Sequence, residues 1–307
     1  MPQGTFIVIV AGLVSALLST TATFGSGVGL FFAYFALLPI LLIGLSQGRR
    51  AATIAASIAV ISALVLSSHY QGLMYFLSVA FPAWLIVYTA LTPKTKNDLI
   101  PIGEIISRLT VFGAIVLIMS SIFFIDKPND LALGVEAFLK KIIAHNRPDI
   151  IITQNDQILI KRIVPLFPAI AVSSWLLMTF INTLAAQTIL IKAKANLKPA
   201  FKYSEITAPE WIYWLIVGSV LLILVGSDDI VYIGRNLSLI LLIPLFFIGL
   251  GVIHKLSSQL RTPAIGLIIF YFLMIISSWP AYIALFLGFF ERWTNFRDRI
   301  NSLPSKD

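Results

Sequence analysis

Long apolar stretches alternate with short polar connections along the whole chain. Nine stretches are long enough to cross a membrane as helices: residues 5–24, 28–46, 50–67, 72–91, 103–125, 163–191, 211–227, 236–255 and 263–290. A bilayer core of about 30 Å requires about 20 apolar residues in a helix, and an open chain in lipid satisfies its own backbone only as a helix. The pattern therefore predicts an all-α fold, a polytopic transmembrane helical bundle of about nine spans, in a single integral membrane domain over residues 1–307.

The composition agrees with this prediction. Hydrophobic residues make up 58% of the chain and charged residues 12%, whereas soluble domains contain about 45–50% and about 25%. Water could not solvate such a chain in a folded state. The chain has no cysteine, which excludes disulfides, thiolate catalysis and Cys-ligated metal centres.

The charged residues are sorted by side of the membrane. The connections after the second, fourth, sixth and eighth spans carry eleven basic and four acidic residues, whereas the other connections carry seven of each. Because the more basic side of a membrane protein faces the cytoplasm, we expect the N-terminus to be cytoplasmic. This distribution explains the net charge of +8 and argues against nucleic acid as a partner.

The last apolar stretch, 263–290, is interrupted by Ser277, Ser278, Trp279 and Pro280. We expect a single tilted helix kinked at the proline. The alternative is a helical hairpin, which would return the polar C-terminal tail, 291–307, to the side from which the stretch began. The basic residues of that tail favour the cytoplasm, which the single helix does not satisfy.

The only sizeable polar insertion, 126–162, falls on the predicted outer side. Within it, Val135, Phe138 and Ile142 recur at helical spacing while Lys140 and Lys141 face away. Such a pattern is typical of an amphipathic helix in the headgroup region. We expect it to act as a cap over the bundle, with a substrate gate as the alternative.

Few polar side chains enter the predicted spans. The candidates for substrate binding are Tyr34, Asn182, Gln187, Ser277 and Ser278. Asn182 and Gln187 have a structural alternative, because amide side chains within membranes commonly form hydrogen bonds between helices.

Small residues recur every four positions at the start of the third span, at Ala51, Ala55 and Ala59. Such spacing allows another helix to approach closely. The partner is either a helix of the same chain or a separate membrane subunit that docks on this face.

The sequence contains no recognisable catalytic or metal-binding motif. His69, His145 and His254 lie in separate connections without the spacing of metal ligands. No phosphate-binding loop with the Walker pattern is present, so ATP-driven work would require a partner. We therefore expect no enzymatic activity, no catalytic residue, no metal and no cofactor.

Three segments carry a resemblance to a known family. They are the run Leu-Pro-Ile-Leu-Leu-Ile-Gly-Leu within residues 37–59, residues 243–255, and the ending Gly-Phe-Phe-Glu-Arg-Trp within residues 287–299. The chain resembles the YybS-like family of uncharacterised bacterial polytopic membrane proteins, which in turn is similar to the S components of energy-coupling-factor transporters. S components capture a solute and dock through alanine-rich helices on a transmembrane coupling subunit that is energised by separate ATPases.

The resemblance implies a multi-pass protein of the bacterial cytoplasmic (inner) membrane, with docking by Ala51, Ala55 and Ala59. We expect a transport-type component without its own ATPase that binds a small, poorly charged solute in an outward-facing cavity. One alternative is a scaffold or assembly protein for other membrane complexes. A further alternative is a lipid-acting enzyme or flippase, for which Arg147 and Asp149 of the outer insertion would be the candidate residues.

Overall fold

The computed structural model describes residues 2–24, 27–92, 99–122, 130–146, 153–199 and 201–301. Contacts within the chain define two compact units: unit 1 is Met1–Pro101 with Ser174–Phe201, and unit 2 is Ile102–Ser173 with Lys202–Asp307. In the described ranges the regular elements of both units are helices. The expectation of a single membrane domain stays a prediction.

Unit 1 begins with six helices. They are α1 (Pro2–Thr20), α2 (Gly27–Ala33), α3 (Leu38–Gln47), α4 (Arg49–Leu66), α5 (His69–Tyr75) and α6 (Phe81–Ala90). A π-helical turn, Phe76–Ala80, joins α5 to α6.

Small residues allow α1, α3 and α4 to pack closely. A Cβ atom on Gly12 of α1 would lie 2.6 Å from the carbonyl oxygen of Ala55 on α4. A Cβ atom on Gly44 of α3 would lie 2.9 Å from that of Ala52, so only glycine fits there without movement. Gly48, with φ of +98°, turns the chain from α3 directly into α4 in a conformation that other residues rarely adopt.

Unit 2 contains the remaining helices and shares one of them with unit 1. They are α7 (Ile102–Ile122), α8 (Asp130–Asn146), α9 (Gln154–Ile163), α10 (Phe167–Lys192), α11 (Trp211–Val225), α12 (Asp228–Leu241), α13 (Ile243–Ser257), α14 (Pro263–Ile276), α15 (Trp279–Thr294) and α16 (Phe296–Asn301). Helix α10 changes unit between Ser173 and Ser174.

The predicted membrane helical bundle is confirmed, with fewer full-length spans than expected in the described part of the chain. Six segments are long and apolar enough to cross a membrane: Gly27–Gln47, Arg49–Leu66, His69–Ala90, Ile102–Ile122, Gln154–Lys192 and Asp228–Ser257. The pair Pro263–Ile276 and Trp279–Thr294 is a seventh if it counts as one span. The predicted spans at 5–24 and 211–227 correspond to shorter apolar helices, Gly4–Thr20 and Trp211–Val225.

The expectation of one kinked helix over 263–290 is wrong. The direction of the chain bends by 116° between α14 and α15. Ser277 adopts an extended conformation after α14, and Pro280 lies in the first turn of α15, where its missing N–H group costs no hydrogen bond. The chain therefore breaks into two helices, and the side of the membrane on which the C-terminal tail lies stays a prediction.

The C-terminal end of α15 lies beside the segment that precedes α11. Arg297 donates from Nη1 to the carbonyl oxygens of Ser204, at 3.1 Å, and Ile206, at 2.8 Å. At the same end of unit 2, Tyr203 stacks on His254 near the end of α13 with 5.0 Å between ring centres. Residues 291–297 thus share an end of the unit with connections that the charge distribution assigns to the cytoplasm.

The predicted amphipathic helix of the outer insertion is present as α8. Its Leu133, Phe138 and Ile142 are exposed on unit 2, as expected for a helix that contacts lipid headgroups and acyl chains. Lys140 donates to Glu136 over 2.6 Å, and this hydrogen bond lowers the pKa of the Glu136 carboxyl group. Arg147 and Asp149 lie outside the described residues.

Candidate functional site

Asn182 lies at the centre of a buried polar stripe on α10 in unit 1. The residue is 1% exposed, and its Nδ2 donates to the carbonyl oxygens of Tyr34, at 2.7 Å, and Met178, at 3.0 Å. Tyr34 contributes its backbone to this contact, whereas its side chain is exposed. The structure thus brings Asn182 and Tyr34 together. Their contact is a hydrogen bond between separate segments of the chain, which is the structural role predicted from the sequence as the alternative to substrate binding by Asn182.

Three side-chain oxygens of this stripe have no hydrogen-bond partner among the described residues. They are Thr179 Oγ1, Asn182 Oδ1 and Gln187 Oε1, and all three residues are buried. A buried acceptor without a partner typically costs about 1–3 kcal/mol, and ordered water or a solute with donor groups would satisfy it. The cavities described below do not include these residues in their walls.

Ser277 and Ser278 belong to unit 2, at the break between α14 and α15. Ser277 is partly exposed and accepts a long hydrogen bond of 3.5 Å from the backbone N–H of Trp279. Ser278 is exposed. The five predicted substrate-binding residues are therefore divided between the two units.

The alanine face of α4 is covered by its own chain. Ala55 and Ala59 are fully buried and Ala51 is 8% exposed. Gly12 of α1 packs against the backbone of Ala55. The helix that packs on this face therefore belongs to the same chain. Docking of a separate subunit on this face stays a prediction.

A polar cavity of about 620 Å³ lies at the end of unit 2 where α13 and α15 terminate. It is bounded by residues 204–213, by Ile248 and Lys255 of α13, and by residues 291–297. The charged residues in its wall are three carboxylates and three cations: Glu205, Glu210, Glu291, Lys255, Arg292 and Arg297. Their formal charges balance.

Glu291 is the buried acid of this cavity. Its side chain is 8% exposed, and Oε1 accepts from Arg297 Nε over 2.6 Å. Oε2 is buried and has no hydrogen-bond partner among the described residues. One oxygen of the carboxylate is therefore paired with Arg297, and the other is a buried acceptor without a partner among the described residues.

Close packing of two helices explains why Glu291 is buried. Ala284, Gly288 and Glu291 lie on one face of α15, since they are spaced by four and three residues. A Cβ atom on Gly288 would collide with the carbonyl oxygen of Leu245 on α13. This face of α15 is therefore pressed against α13, and Glu291 is the next residue along it.

A second ion pair in the cavity wall is exposed. Arg292 Nη2 donates to Glu210 Oε1 over 2.8 Å, but the two side chains are 39% and 81% exposed. Exposed pairs contribute only about 0–1 kcal/mol because solvent screens them. This pair therefore adds little to the stability of the cavity wall.

In the described residues no three His, Asp or Glu side chains are grouped in a way that could hold a metal ion. His254 is engaged by the Tyr271 hydroxyl at 3.0 Å and by the ring of Tyr203.

Comparison with known proteins identifies the family. Residues 13–291 match the family described as "Predicted membrane protein (DUF2232)". The chain belongs to this family. No curated protein and no solved structure matches it significantly.

The DUF2232 match includes helices of both units, and it also includes a buried residue that sequence reasoning missed. Asn236 of α12 is 0% exposed. Its Nδ2 donates to the carbonyl oxygen of Pro165, at 3.1 Å, and its Oδ1 accepts from the N–H of Ala169, at 2.9 Å. The amide side chain is thus inserted into an open helical turn between residues 165 and 169.

Pro168 explains a neighbouring contact. Because proline has no N–H group, the carbonyl oxygen of Val164 cannot accept the usual helical bond from residue 168 and accepts from the N–H of Phe167 instead. The hydroxyl of Tyr232 donates to that oxygen over 2.8 Å. The polar pair Tyr232 and Asn236, four residues apart in an apolar span, was the signal in the sequence that could have indicated this role.

The sequence also offered a signal for the cavity. An acid and an arginine, Glu291 and Arg297, follow the small-residue face formed by Ala284 and Gly288. They were predicted to form part of a polar tail. Only the left-handed conformation of Asn295, with φ of +46°, turns the chain so that Arg297 returns to Glu291.

Proposed function

We propose that this protein is a transport-type membrane component that binds a small, net-neutral solute in the polar cavity of unit 2. The observation that carries the proposal is the buried Glu291 carboxylate, which belongs to the cavity wall and whose Oε2 lacks a partner among the described residues. A solute that donates an N–H or O–H group to Oε2 would remove the cost of this unsatisfied acceptor.

The size and charge of the cavity define the class of solute. A volume of about 620 Å³ falls within the range of about 300–1,000 Å³ that is typical of small-molecule sites. Equal numbers of acidic and basic side chains favour a solute without net charge, either an uncharged polar molecule or a zwitterion. A zwitterion would place its cationic group at Glu291 and its anionic group at Arg292 or Lys255.

The transport role is supported by the membrane helices and by the resemblance to YybS-like proteins and to S components. In this proposal a separate coupling subunit with ATPases supplies energy, because the sequence has no ATP-binding motif of its own. In a bacterial inner membrane with a cytoplasmic N-terminus, the cavity opens at the cytoplasmic end of unit 2. The proposed solute site therefore differs from the outward-facing cavity expected from the sequence.

A thermal-shift screen of the full-length protein in detergent tests the proposal. The probes are uncharged polar solutes and zwitterions, with cationic and anionic analogues of similar size for comparison. A solute at 100 times its Kd stabilises the folded state by about 2.7 kcal/mol, so binders among the net-neutral compounds should raise Tm measurably. A screen in which no net-neutral compound raises Tm would overturn the proposal.

A pair of variants locates the site. Glu291→Gln removes the charge that accepts the solute donor and should weaken binding about tenfold or more, since a hydrogen bond to a charged group contributes about 1.5–3 kcal/mol. Glu210→Gln removes an exposed carboxylate from the same cavity and should change the affinity only slightly. Equal affinities of the wild type and Glu291→Gln would show that the solute binds elsewhere.

A further inference from the structure

An open apolar groove of about 520 Å³ runs along α4 in unit 1. One wall is formed by Thr53, Ser57 and Ile61 of α4, and the other includes Phe76, Phe81 and Trp84. Ser57 and Ile61 are exposed along the groove. In a membrane-spanning unit, such a surface faces acyl chains.

The groove has a polar end. Trp84 Nε1 donates to Thr53 Oγ1 over 3.1 Å, and the Trp84 ring stacks on Tyr88 with 5.1 Å between ring centres. The guanidinium of Arg49 lies over the same Tyr88 ring at 4.3 Å. Aromatic side chains with polar edges are enriched where the apolar core of a bilayer meets water, so this end lies at the headgroup level.

Two adjacent arginines lie at this end, at the start of α4. Arg49 Nη2 donates to Thr92 Oγ1 over 2.9 Å, while its Nε is buried and has no hydrogen-bond partner in the described part of the chain. Arg50 is exposed and lies on the same helical face as Thr53 and Ser57, three and seven residues further along. Among the described residues, no carboxylate forms an ion pair with Arg49 or Arg50.

We infer that this groove binds one anionic phospholipid of the surrounding bilayer, with an acyl chain against α4 and the phosphate at Arg49 and Arg50. Guanidinium groups match phosphate oxygens in geometry as well as in charge. The N-terminus of α4 adds a favourable helix dipole for the phosphate. Its capping residue, Gly48, has no side chain that could accept from the first N–H groups of the helix. The apolar wall and the cationic end thus fit the two parts of the same molecule.

Native mass spectrometry of the full-length protein with added phosphatidylglycerol or phosphatidylcholine tests this inference. The wild type should retain phosphatidylglycerol preferentially. Arg50→Gln should weaken its binding about fivefold, because a basic residue at an anionic lipid surface contributes about 1 kcal/mol. The matched control is Lys192→Gln, which removes an exposed charge from the last turn of α10 in the same unit and should leave the affinity unchanged.

A second pair of variants tests the acyl-chain wall. Ser57→Phe fills the groove from an exposed position and should reduce phosphatidylglycerol binding, whereas Ile54→Phe places the same ring on an exposed position of α4 that does not line the groove. Unchanged unfolding temperatures would show that these variants are folded. Equal binding of the two lipids, equal losses in Arg50→Gln and Lys192→Gln, or no loss in Ser57→Phe would overturn the inference.

Discussion

Arg297 donates from Nε to Oε1 of Glu291 over 2.6 Å, although the two residues lie on different helices. Asn295, in a left-handed conformation between the helices, makes this contact possible. Both side chains are largely buried, and Arg297 also binds two backbone carbonyl oxygens of the segment before α11. One arginine therefore joins the end of α15 to another connection of unit 2.

Replacement of Arg297 should be strongly destabilising. Arg297→Met keeps much of the side-chain volume but leaves the carboxylate of Glu291 buried without a counter-charge, so we expect a loss of about 3–5 kcal/mol. The measurement is the free energy of unfolding in detergent micelles. The double variant Glu291→Gln with Arg297→Met should recover part of the loss. Arg292→Met, which breaks the exposed pair, should cost about 1 kcal/mol or less, and an equal loss in both single variants would contradict the prediction.

Asn236 should stabilise unit 2 through the open turn of α10. Asn236→Leu preserves the size of the side chain but leaves the N–H of Ala169 and the carbonyl oxygen of Pro165 without partners. We expect a loss of about 2–4 kcal/mol. Asn196→Leu, which removes one side-chain hydrogen bond to Lys198 O in a partly exposed connection, is the control and should cost about 0.5 kcal/mol. Comparable losses in reversible unfolding would contradict the assigned role.

Gly288 should tolerate no side chain. Gly288→Ala places a methyl group against the carbonyl oxygen of Leu245 and should destabilise the protein by about 1–3 kcal/mol, because α13 and α15 must move apart. Gly218→Ala is matched in chemistry, but its new Cβ has no atom within 4 Å. It should be neutral or stabilise the protein by up to about 1 kcal/mol. A stable Gly288→Ala protein would mean that the helices do not pack as described.

The break between α14 and α15 predicts which side of the membrane the C-terminal segment occupies. The chain has no cysteine, so single-cysteine variants label at one position only. Gln259→Cys and Arg299→Cys should react with an impermeant thiol reagent from the same, cytoplasmic side, whereas Lys141→Cys in α8 should react from outside. Labelling of Gln259→Cys and Arg299→Cys from opposite sides would show that 263–290 crosses the membrane once.

The apolar pattern located the helices well, since each of the nine predicted stretches contains helix. The length of the helices was less predictable, because helices such as Trp211–Val225 are shorter than the stretch required for a full span. The residues of the candidate binding sites were harder to predict than the helices. Tyr34 and Asn182 were placed together, but Ser277 and Ser278 belong to the other unit, and Glu291 and Asn236 were missed. A polar residue in an apolar segment can be recognised from the sequence, whereas its partner depends on packing.

The sequence by itself determined that this chain forms membrane helices, because burial of about 20 apolar residues in lipid depends on the local chain alone. The charge pattern likewise predicted a basic side without reference to packing. Tertiary structure decided the rest: the 116° break after α14, the insertion of Asn236 into a turn of a distant helix, and the burial of Glu291 opposite α13. Each of these depends on contacts between residues far apart in the chain, whose geometry no local pattern specifies.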